Sequence, residues 1–378
     1  MKKTLLHTPD GFRDIYNEDC EGKLELESSL RRVLYGFGYR AIETPSVEFA
    51  EIFAGSEGGV SEKELYRFFD RDGSTMALRP DFTPSVARSA AKYYSLEEPV
   101  RLCYLGQTFV NHSSYKGMLK ETTQLGAELM GDATADADAE VLATVISCLK
   151  AAGLQTFQLT VGHAGYFNSL VREADGSALL TDMEEETLKN LIRNRNSLGV
   201  RDYLAGLSLE QDRFDAIAGL PELFGGRGVL ESAKAAISGP AFSKAAKARE
   251  AIERLEQVCE ILKLYGLEEH ITFDLAMLGN YMYYTGIIFR GYTYGTGDAI
   301  VKGGRYDNLL EQFGKVAPAT GFVIVIDQLL EALQQQDIRI HSGGQRSIMT
   351  CTKETRAEAI RDAMERRARG EQVEMRYR

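Results

Sequence analysis

The 378-residue sequence is short of positive charge and contains no run of five or six basic residues. Its 44 Lys and Arg residues are outnumbered by 55 Asp and Glu residues, which gives a formal net charge of −11. Proteins that bind nucleic acid usually carry a basic patch or stripe that contacts the phosphates. The sequence therefore predicts that nucleic acid is not a partner.

Cysteine and histidine are also scarce, with five residues of each. The cysteines form no CxxC pair, and the histidines show no HxH or HExxH spacing. A disulfide framework or a zinc site is expected to show more regular spacing than this. We therefore expect reduced, mostly packed thiols, no metal ion and no cofactor.

Long apolar stretches are absent too, and none approaches the ~18 residues that a membrane-spanning helix needs. The start, MKKTLLHTPDGFRDI, has two lysines but only two leucines before polar residues intervene, which is too short for the apolar core of a signal peptide. The composition is otherwise ordinary for a globular protein, with 44% hydrophobic and 26% charged residues. We expect a cytoplasmic protein that does not contact membranes.

Helical patterns occur at three places in the first part of the chain. Apolar residues at spacings of three and four predict a helix between Glu18 and Phe37. In DFTPSVARSAAKYY, Thr83 is a candidate helix cap and Pro84 a candidate first helical residue. DADAEVLATVISCLKAAGL is typical of a helix that starts with acidic residues, and Gly153 is expected to end it.

Strand patterns surround these helices and return near the end of the chain. LYRFFDRDGSTMALRP predicts a hairpin, and PVRLCYLGQTFV and ETTQLGAELMG alternate like antiparallel strands. Residues 165–265 are helical in pattern and rich in charge, which predicts an inserted helical subdomain. After a Gly-Gly linker, the last residues predict a strand, a helix and a strand. We expect one domain over residues 1–335 and a small βαβ-like tail over residues 336–378.

Seven motifs follow one another along the chain: TPDGFRDI, LRPDFTPSVAR, YLGQTF, QLGAELMG, YMYYTGIIF, GGRYDNLLEQFG and GFVIVIDQLL. Their order and spacing resemble the catalytic domain of histidyl-tRNA synthetase over about residues 7–335. The resemblance implies an α+β fold, namely a class II aminoacyl-tRNA synthetase-like antiparallel sheet flanked by helices, with the helical insertion and the small tail added. It also implies a symmetric dimer that pairs through the first class motif, here about residues 25–48.

Three arginines that the resemblance to the synthetases leads us to expect are missing from this sequence. Val110 follows the motif that would end in Phe-Arg, Asp327-Gln328 replaces a Glu-Arg pair, and Gly279 stands before the paired tyrosines. Each guanidinium would donate charge-assisted bonds to phosphate, and losing one such donor commonly costs about 3 kcal/mol. The sequence therefore predicts that the chain does not form an aminoacyl-adenylate.

A synthetase-like chain without these arginines is similar to the family of ATP phosphoribosyltransferase regulatory subunits. This similarity implies a non-catalytic subunit with no catalytic residues of its own, which works with a short catalytic subunit in the first step of histidine biosynthesis. It also implies feedback inhibition with L-histidine as the effector. The short tail is expected to lack most of an anticodon-binding domain, in agreement with this family rather than with a synthetase.

The amino-acid pocket implied by the resemblance is better preserved than the nucleotide site. Carboxylates suit an ammonium group and an imidazole N–H, and a phenol can donate to or accept from the other ring nitrogen. The residues expected to surround histidine are Asp81, Thr83, Gln124, Glu128, Tyr283 and Tyr284.

Simpler interpretations remain open for several of these residues. Gln124 and Glu128 are also compatible with the polar side of an ordinary strand, and the tyrosines with core or rim positions. Gly303-Gly304 predicts either a turn or a close backbone approach, and Arg101 is expected to form a structural salt bridge. Two other functions also stay open: a divergent active histidyl-tRNA synthetase, and a paralogue that binds an amino acid in another process.

Overall fold

The computed structural model describes residues 6–54, 60–112, 118–173, 175–243, 246–278, 284–340 and 347–378. Within these ranges the helices are α1 (Asn17–Gly36), α2 (Glu51–Ala54), α3 (Thr83–Tyr93), α4 (Ala135–Ala151), α5 (Ala164–Leu170), α6 (Asp182–Arg193), α7 (Ser197–Leu204), α8 (Gln211–Gly219), α9 (Gly228–Ala236), α10 (Ala246–Leu264), α11 (Ile326–Gln335) and α12 (Arg356–Ala368).

The strands are β1 (Arg40–Ala41), β2 (Val47–Phe49), β3 (Arg67–Phe69), β4 (Thr75–Leu78), β5 (Val100–Phe109), β6 (Glu121–Met130), β7 (Phe157–His163), β8 (Phe224–Gly225), β9 (Ile271–Asp274), β10 (Ile287–Thr293), β11 (Val301–Arg305), β12 (Ala319–Val325), β13 (Ser347–Cys351) and β14 (Val373–Tyr377). The chain divides into two compact units, of which the larger comprises Met1–Asp14 and Ser29–Ile338. The smaller comprises Ile15–Ser28 and Arg339–Arg378.

A nine-stranded sheet organises the larger unit, in the order β1-β5-β6-β12-β11-β10-β7-β9-β8. The neighbouring strands are antiparallel except for the parallel pairs β1–β5 and β7–β9. One face of this sheet is covered by α4, which packs on β11 and β12. Helix α3 packs with Tyr104 and Tyr306 in one buried cluster. The cavity described below lies beside this cluster, over β6, β12 and β11.

Helix α4 forms where its sequence signals place it. Thr134 caps its first turn by accepting a hydrogen bond from the N–H of Ala137. Gly153, just beyond the end of the helix, has φ = 94°, a left-handed conformation that glycine adopts without steric cost. The prediction of an acid-started helix ended by Gly153 is confirmed.

The hairpin and the helical region also form as their sequence patterns predict. Strands β2, β4 and β3 make a separate three-stranded sheet, in which β3 and β4 pair antiparallel. Between residues 164 and 264 the described elements are the helices α5 to α10, short 3₁₀ turns and the two-residue strand β8. In the smaller unit, β13 and β14 are parallel and α12 connects them, which gives the βαβ arrangement.

All five cysteines lie in the described ranges as free thiols, and Cys103, Cys148 and Cys351 are buried. No group of three or more His, Cys, Asp or Glu side chains in the described ranges is placed to hold a metal ion. Of the helices in these ranges, none combines the length and the apolar character needed to cross a bilayer.

Candidate functional site

The strand register places the candidate residues on one face of the large sheet. Glu128 of β6 is opposite Gly321 of β12, which is opposite Gly304 of β11. Alternate residues of a strand share a face, so Gln124 lies on the same face as Glu128. Both side chains line a cavity of about 540 Å³. This volume falls in the range typical of small-molecule sites.

The Glu128 carboxylate lies at the buried end of this cavity, with 1% of the residue exposed. Its Oε1 accepts hydrogen bonds from the hydroxyls of Thr83 at 2.9 Å and Tyr104 at 3.2 Å. Its Oε2 accepts from the hydroxyl of Tyr306 at 2.5 Å. Burial raises the pKa of Glu128 to about 8, although the hydrogen bonds from Tyr306 and Thr83 oppose the rise.

The hydroxyls of the two tyrosines donate hydrogen bonds to Glu128. Burial, followed by the nearby Glu128 charge, holds the pKa of both Tyr104 and Tyr306 well above the ordinary phenol value. The Tyr104 ring also stacks on Phe82, with ring centroids 4.4 Å apart. These contacts fix the phenol groups around the carboxylate.

Two glycines make room for this cluster. A Cβ atom on Gly321 would lie 1.6 Å from Glu128 Oε2 and 2.7 Å from the carbonyl oxygen of Ala127. A Cβ atom on Gly126 would lie 2.3 Å from the Tyr104 hydroxyl. Any larger side chain at either position would therefore displace the polar groups that line the cavity.

Asp81 and Thr83 approach the same carboxylate from the start of α3. Asp81 lines the cavity, and its Oδ1 accepts a hydrogen bond from the N–H of Thr83 at 3.3 Å. Burial raises the pKa of Asp81 above its ordinary value. The site therefore holds two neighbouring carboxyl groups whose charged forms are penalised by burial, and a cationic ligand would stabilise both.

The expectation that Thr83 caps α3 is wrong. The capping position belongs to Phe82, which makes no side-chain capping bond, and Thr83 is already inside the helix. The Thr83 hydroxyl donates to Glu128 instead. A capping side chain would instead accept a hydrogen bond from an N–H of the first helical turn, and the side chain at the capping position of α3 makes no such bond.

Tyr284 and Gln124 complete the described part of the predicted amino-acid pocket. Tyr284 lines the cavity, and its ring lies 2.7 Å from where a Cβ atom on Gly304 would stand. The buried Oε1 of Gln124 has no hydrogen-bond partner among the described residues. Tyr283 lies outside the described residues, as does Gly279.

The two described positions at which the synthetase resemblance leads us to expect ATP-binding arginines also lie at the cavity. Val110 and Gln328 both line it, and neither can bind a phosphate as a guanidinium does. Asp327 is 2.7 Å from the guanidinium of Arg13 and also accepts from the N–H of Thr123 at 2.6 Å. The Arg13 guanidinium is therefore engaged by Asp327.

Tyr104 and Tyr306 are not among the site residues predicted from the sequence, although both bond Glu128. Tyr306 belongs to the GGRYD motif and, two residues after Gly304, falls on the cavity face by simple alternation. Gly303 and Gly304 are both within β11, so the close backbone approach is correct and the turn is not. A Cβ atom on Gly303 would lie 2.3 Å from the ring of Phe289.

Two arginines outside the cavity have structural roles. Arg101 makes two hydrogen bonds to Glu140, at 2.7 and 2.9 Å, so the expected salt bridge is confirmed. Arg79 is buried and donates to the carbonyl oxygens of Gln107 and Thr44, each at 2.8 Å.

Comparison with known proteins identifies the family. A family model described as histidyl-tRNA synthetase matches residues 11–329. An ATP phosphoribosyltransferase regulatory subunit from Acetivibrio thermocellus is 35% identical over 376 residues, which cover 99% of this chain and 88% of the relative. A protein of the same name from Caldanaerobacter subterraneus subsp. tengcongensis is 36% identical over 371 residues, covering 98% and 94%. The chain belongs to the family of ATP phosphoribosyltransferase regulatory subunits.

Solved structures agree with this family and with the synthetase fold. The crystal structure of an ATP phosphoribosyltransferase regulatory subunit/histidyl-tRNA synthetase from Bacillus halodurans is 33% identical, with a TM-score of 0.86 over 99% of this chain and 93% of that one. A histidyl-tRNA synthetase from Nostoc, 20% identical, has a TM-score of 0.80 over 98% of this chain and 86% of that one, and shows the fold alone. The resemblance and the class II synthetase-like fold predicted from the sequence are confirmed.

Proposed function

We propose that the chain is the non-catalytic regulatory subunit of an ATP phosphoribosyltransferase and that it assembles with a separate short catalytic subunit. In this role it supports the first step of histidine biosynthesis and carries feedback inhibition by L-histidine. One observation supports the proposal above the others. The cavity keeps a buried, hydroxyl-bonded carboxylate at its amino-acid end, while its nucleotide end presents Val110, Asp327 and Gln328.

Histidine fits the amino-acid end by charge and by hydrogen bonding. Its ammonium group and one imidazole N–H would be held by Asp81 and Glu128, with Thr83 and Gln124 beside them. Tyr283 and Tyr284 would close the pocket around the ring. Gln124 supports this placement, because its buried oxygen lacks a partner among the described residues and can accept a hydrogen bond from an ammonium group.

Adenylate formation is not supported by the nucleotide end. ATP would bring several negative charges next to Asp327, Glu64 and Glu331, all of which line the cavity. The ancestral arginine positions at 110 and 328 offer no compensating charge. Free histidine therefore binds favourably at the amino-acid end of the cavity, whereas the phosphates of ATP would be repelled at the nucleotide end. This combination suits a sensor of free histidine.

We also propose that the chain forms a symmetric dimer through residues 25–48 and works in the cytoplasm, without nucleic acid or membrane partners. Apolar side chains support the dimer face, since Tyr35 is 49% exposed and Val47 37% exposed. For the domain organisation, we propose a synthetase-like domain over residues 1–335, with its helical insertion at about 165–265, and a tail over residues 336–378.

The test is reconstitution with the short catalytic subunit from the same source. We expect a stable hetero-oligomer by size-exclusion chromatography, with phosphoribosyl transfer to ATP that depends on this chain and is inhibited by histidine. Glu128→Ala should weaken the inhibition while the complex still assembles, because Glu128 is buried in the cavity. Glu331→Ala is the matched control, since Glu331 lines the nucleotide end of the same cavity.

The outcomes separate the parts of the proposal. If no complex forms, the regulatory function is wrong. If the complex forms and Glu128→Ala keeps full histidine sensitivity, the effector binds elsewhere and only the pocket assignment is wrong.

A further inference from the structure

The proposed ligand carries a carboxylate, and none of the side chains assigned to its pocket is a cation. Two of the arginines that the synthetase resemblance leads us to expect are replaced by Val110 and Gly279, so they supply no cation either. If the carboxylate of an amino-acid ligand were unpaired in this partly buried site, its desolvation would cost free energy that no bond offsets. We propose that Lys302 binds the carboxylate of the amino-acid ligand; this inference rests on the function proposed above.

The sheet register places Lys302 beside the proposed ligand. Lys302 of β11 is opposite Val323 of β12, which is opposite Gly126 of β6. Lys302 precedes Gly304 by two residues and therefore shares its face, the face that carries Glu128. It lines the same cavity as Glu128 and Gln124. Neighbouring strands are about 4.8 Å apart, so Lys302 starts about 10 Å from β6, and a lysine side chain extends over most of that distance.

The charges around Lys302 favour an anion. Arg290 is directly opposite Lys302 across the β10–β11 pair, and like charges in directly opposite positions destabilise a sheet. Asp298 offsets part of this charge, because its carboxylate is 3.0 Å from the Lys302 ammonium. Arg290 also interacts electrostatically with Asp274. The positive charge available to a ligand at this edge of the cavity is therefore the Lys302 ammonium, whose ion-pair partner Asp298 is about half exposed.

Within the described ranges, the other cationic side chains that line the cavity come from segments that are not strands of the large sheet. Arg13 is bound to Asp327, and the Lys120 ammonium is 3.2 Å from the side-chain oxygen of Asn111. His112 is 3.4 Å from a Glu64 oxygen. Lys302 is placed by a central strand instead, next to the glycines that bound the amino-acid end.

The experiment compares ligands that differ only in the carboxylate. Isothermal titration of the purified full chain with L-histidine and with L-histidinamide measures the preference for the charged group. We expect the wild type to bind histidine at least about tenfold more tightly than the amide. Lys302→Met should weaken histidine binding by about 10- to 100-fold and leave amide binding unchanged, so that the preference disappears. Lys302→Arg should restore it.

Lys120→Met is the matched control, because it removes another cavity-lining ammonium and should keep the wild-type preference. If Lys302→Met retains the preference for histidine over the amide, the Lys302 assignment is overturned while the histidine pocket stands. If the wild type binds neither ligand, the proposed histidine site fails, and the Lys302 assignment fails with it.

Discussion

Replacing Glu128 with glutamine should change the pH dependence of stability in a direction that the structure fixes. The carboxyl has a pKa of about 8 in the folded protein against an ordinary value of 4.5, so the folded chain holds this proton more tightly than the unfolded chain. Its contribution is therefore fully present below about pH 4.5 and is lost as the pH rises through 8. Glutamine resembles the protonated carboxyl and cannot ionise.

The magnitude follows from the same two values. Each tenfold change in proton affinity corresponds to about 1.4 kcal/mol, so ionising Glu128 between pH 6 and pH 9 removes roughly 2 to 3 kcal/mol from the wild type. Over that range the Glu128→Gln variant should gain the same amount relative to the wild type.

Urea unfolding followed by circular dichroism, at one protein concentration and without histidine, measures this difference at pH 6, 7, 8 and 9. Glu331→Gln, which removes an exposed carboxyl of the same cavity, serves as the control and should run parallel to the wild type. A Glu128→Gln difference that stays constant from pH 6 to pH 9 would refute the reasoning. It would show that Glu128 is already ionised in the folded protein.

Three further predictions concern catalysis, assembly and the core. The purified chain should not exchange pyrophosphate into ATP when histidine is present, because guanidiniums are absent at positions 110 and 328; exchange at synthetase-like rates would contradict this. Sedimentation at micromolar concentration should show a dimer, and a monomer would count against pairing through residues 25–48. Asp138→Ala should lower the free energy of unfolding by roughly 3 to 5 kcal/mol, because it leaves the buried Arg305 without the carboxylate 2.8 Å away. Glu186→Ala breaks the exposed pair with Arg193 and should cost less than about 1 kcal/mol, and similar losses for the two variants would contradict the role assigned to burial.

The elements of the fold could be predicted because their signals are local. Helix α4 combines a capping threonine, acidic residues in the first turn and a terminal glycine within one short segment. Strands β5 and β6 show their alternation over ten residues each. The cap of α3 was predicted wrongly because the partner of Thr83 is not local. Its hydroxyl donates to Glu128, which is 45 positions away in the sequence.

The candidate site could be predicted only in part, since its contacts are distant in sequence. The resemblance supplied Thr83 and Glu128, which the structure brings into direct contact. Tyr306 is 178 positions from Glu128, and nothing in its own segment distinguishes it from a core tyrosine. The bond between Arg13 and Asp327 joins residues 314 positions apart. Local patterns carry no information on such pairs.

Gly321 has a consequence for how this protein can change over generations. Codons for glycine and alanine differ by a single base, so one point mutation can change Gly321 to alanine. The new methyl carbon would lie 1.6 Å from the present position of Glu128 Oε2, so the carboxylate would have to move. The rest of β12 keeps its ladder bonds, since these use only main-chain atoms. Under the function proposed here, selection for histidine overproduction is expected to yield mutations in this codon. Such mutations would abolish feedback inhibition while the enzyme complex still assembles.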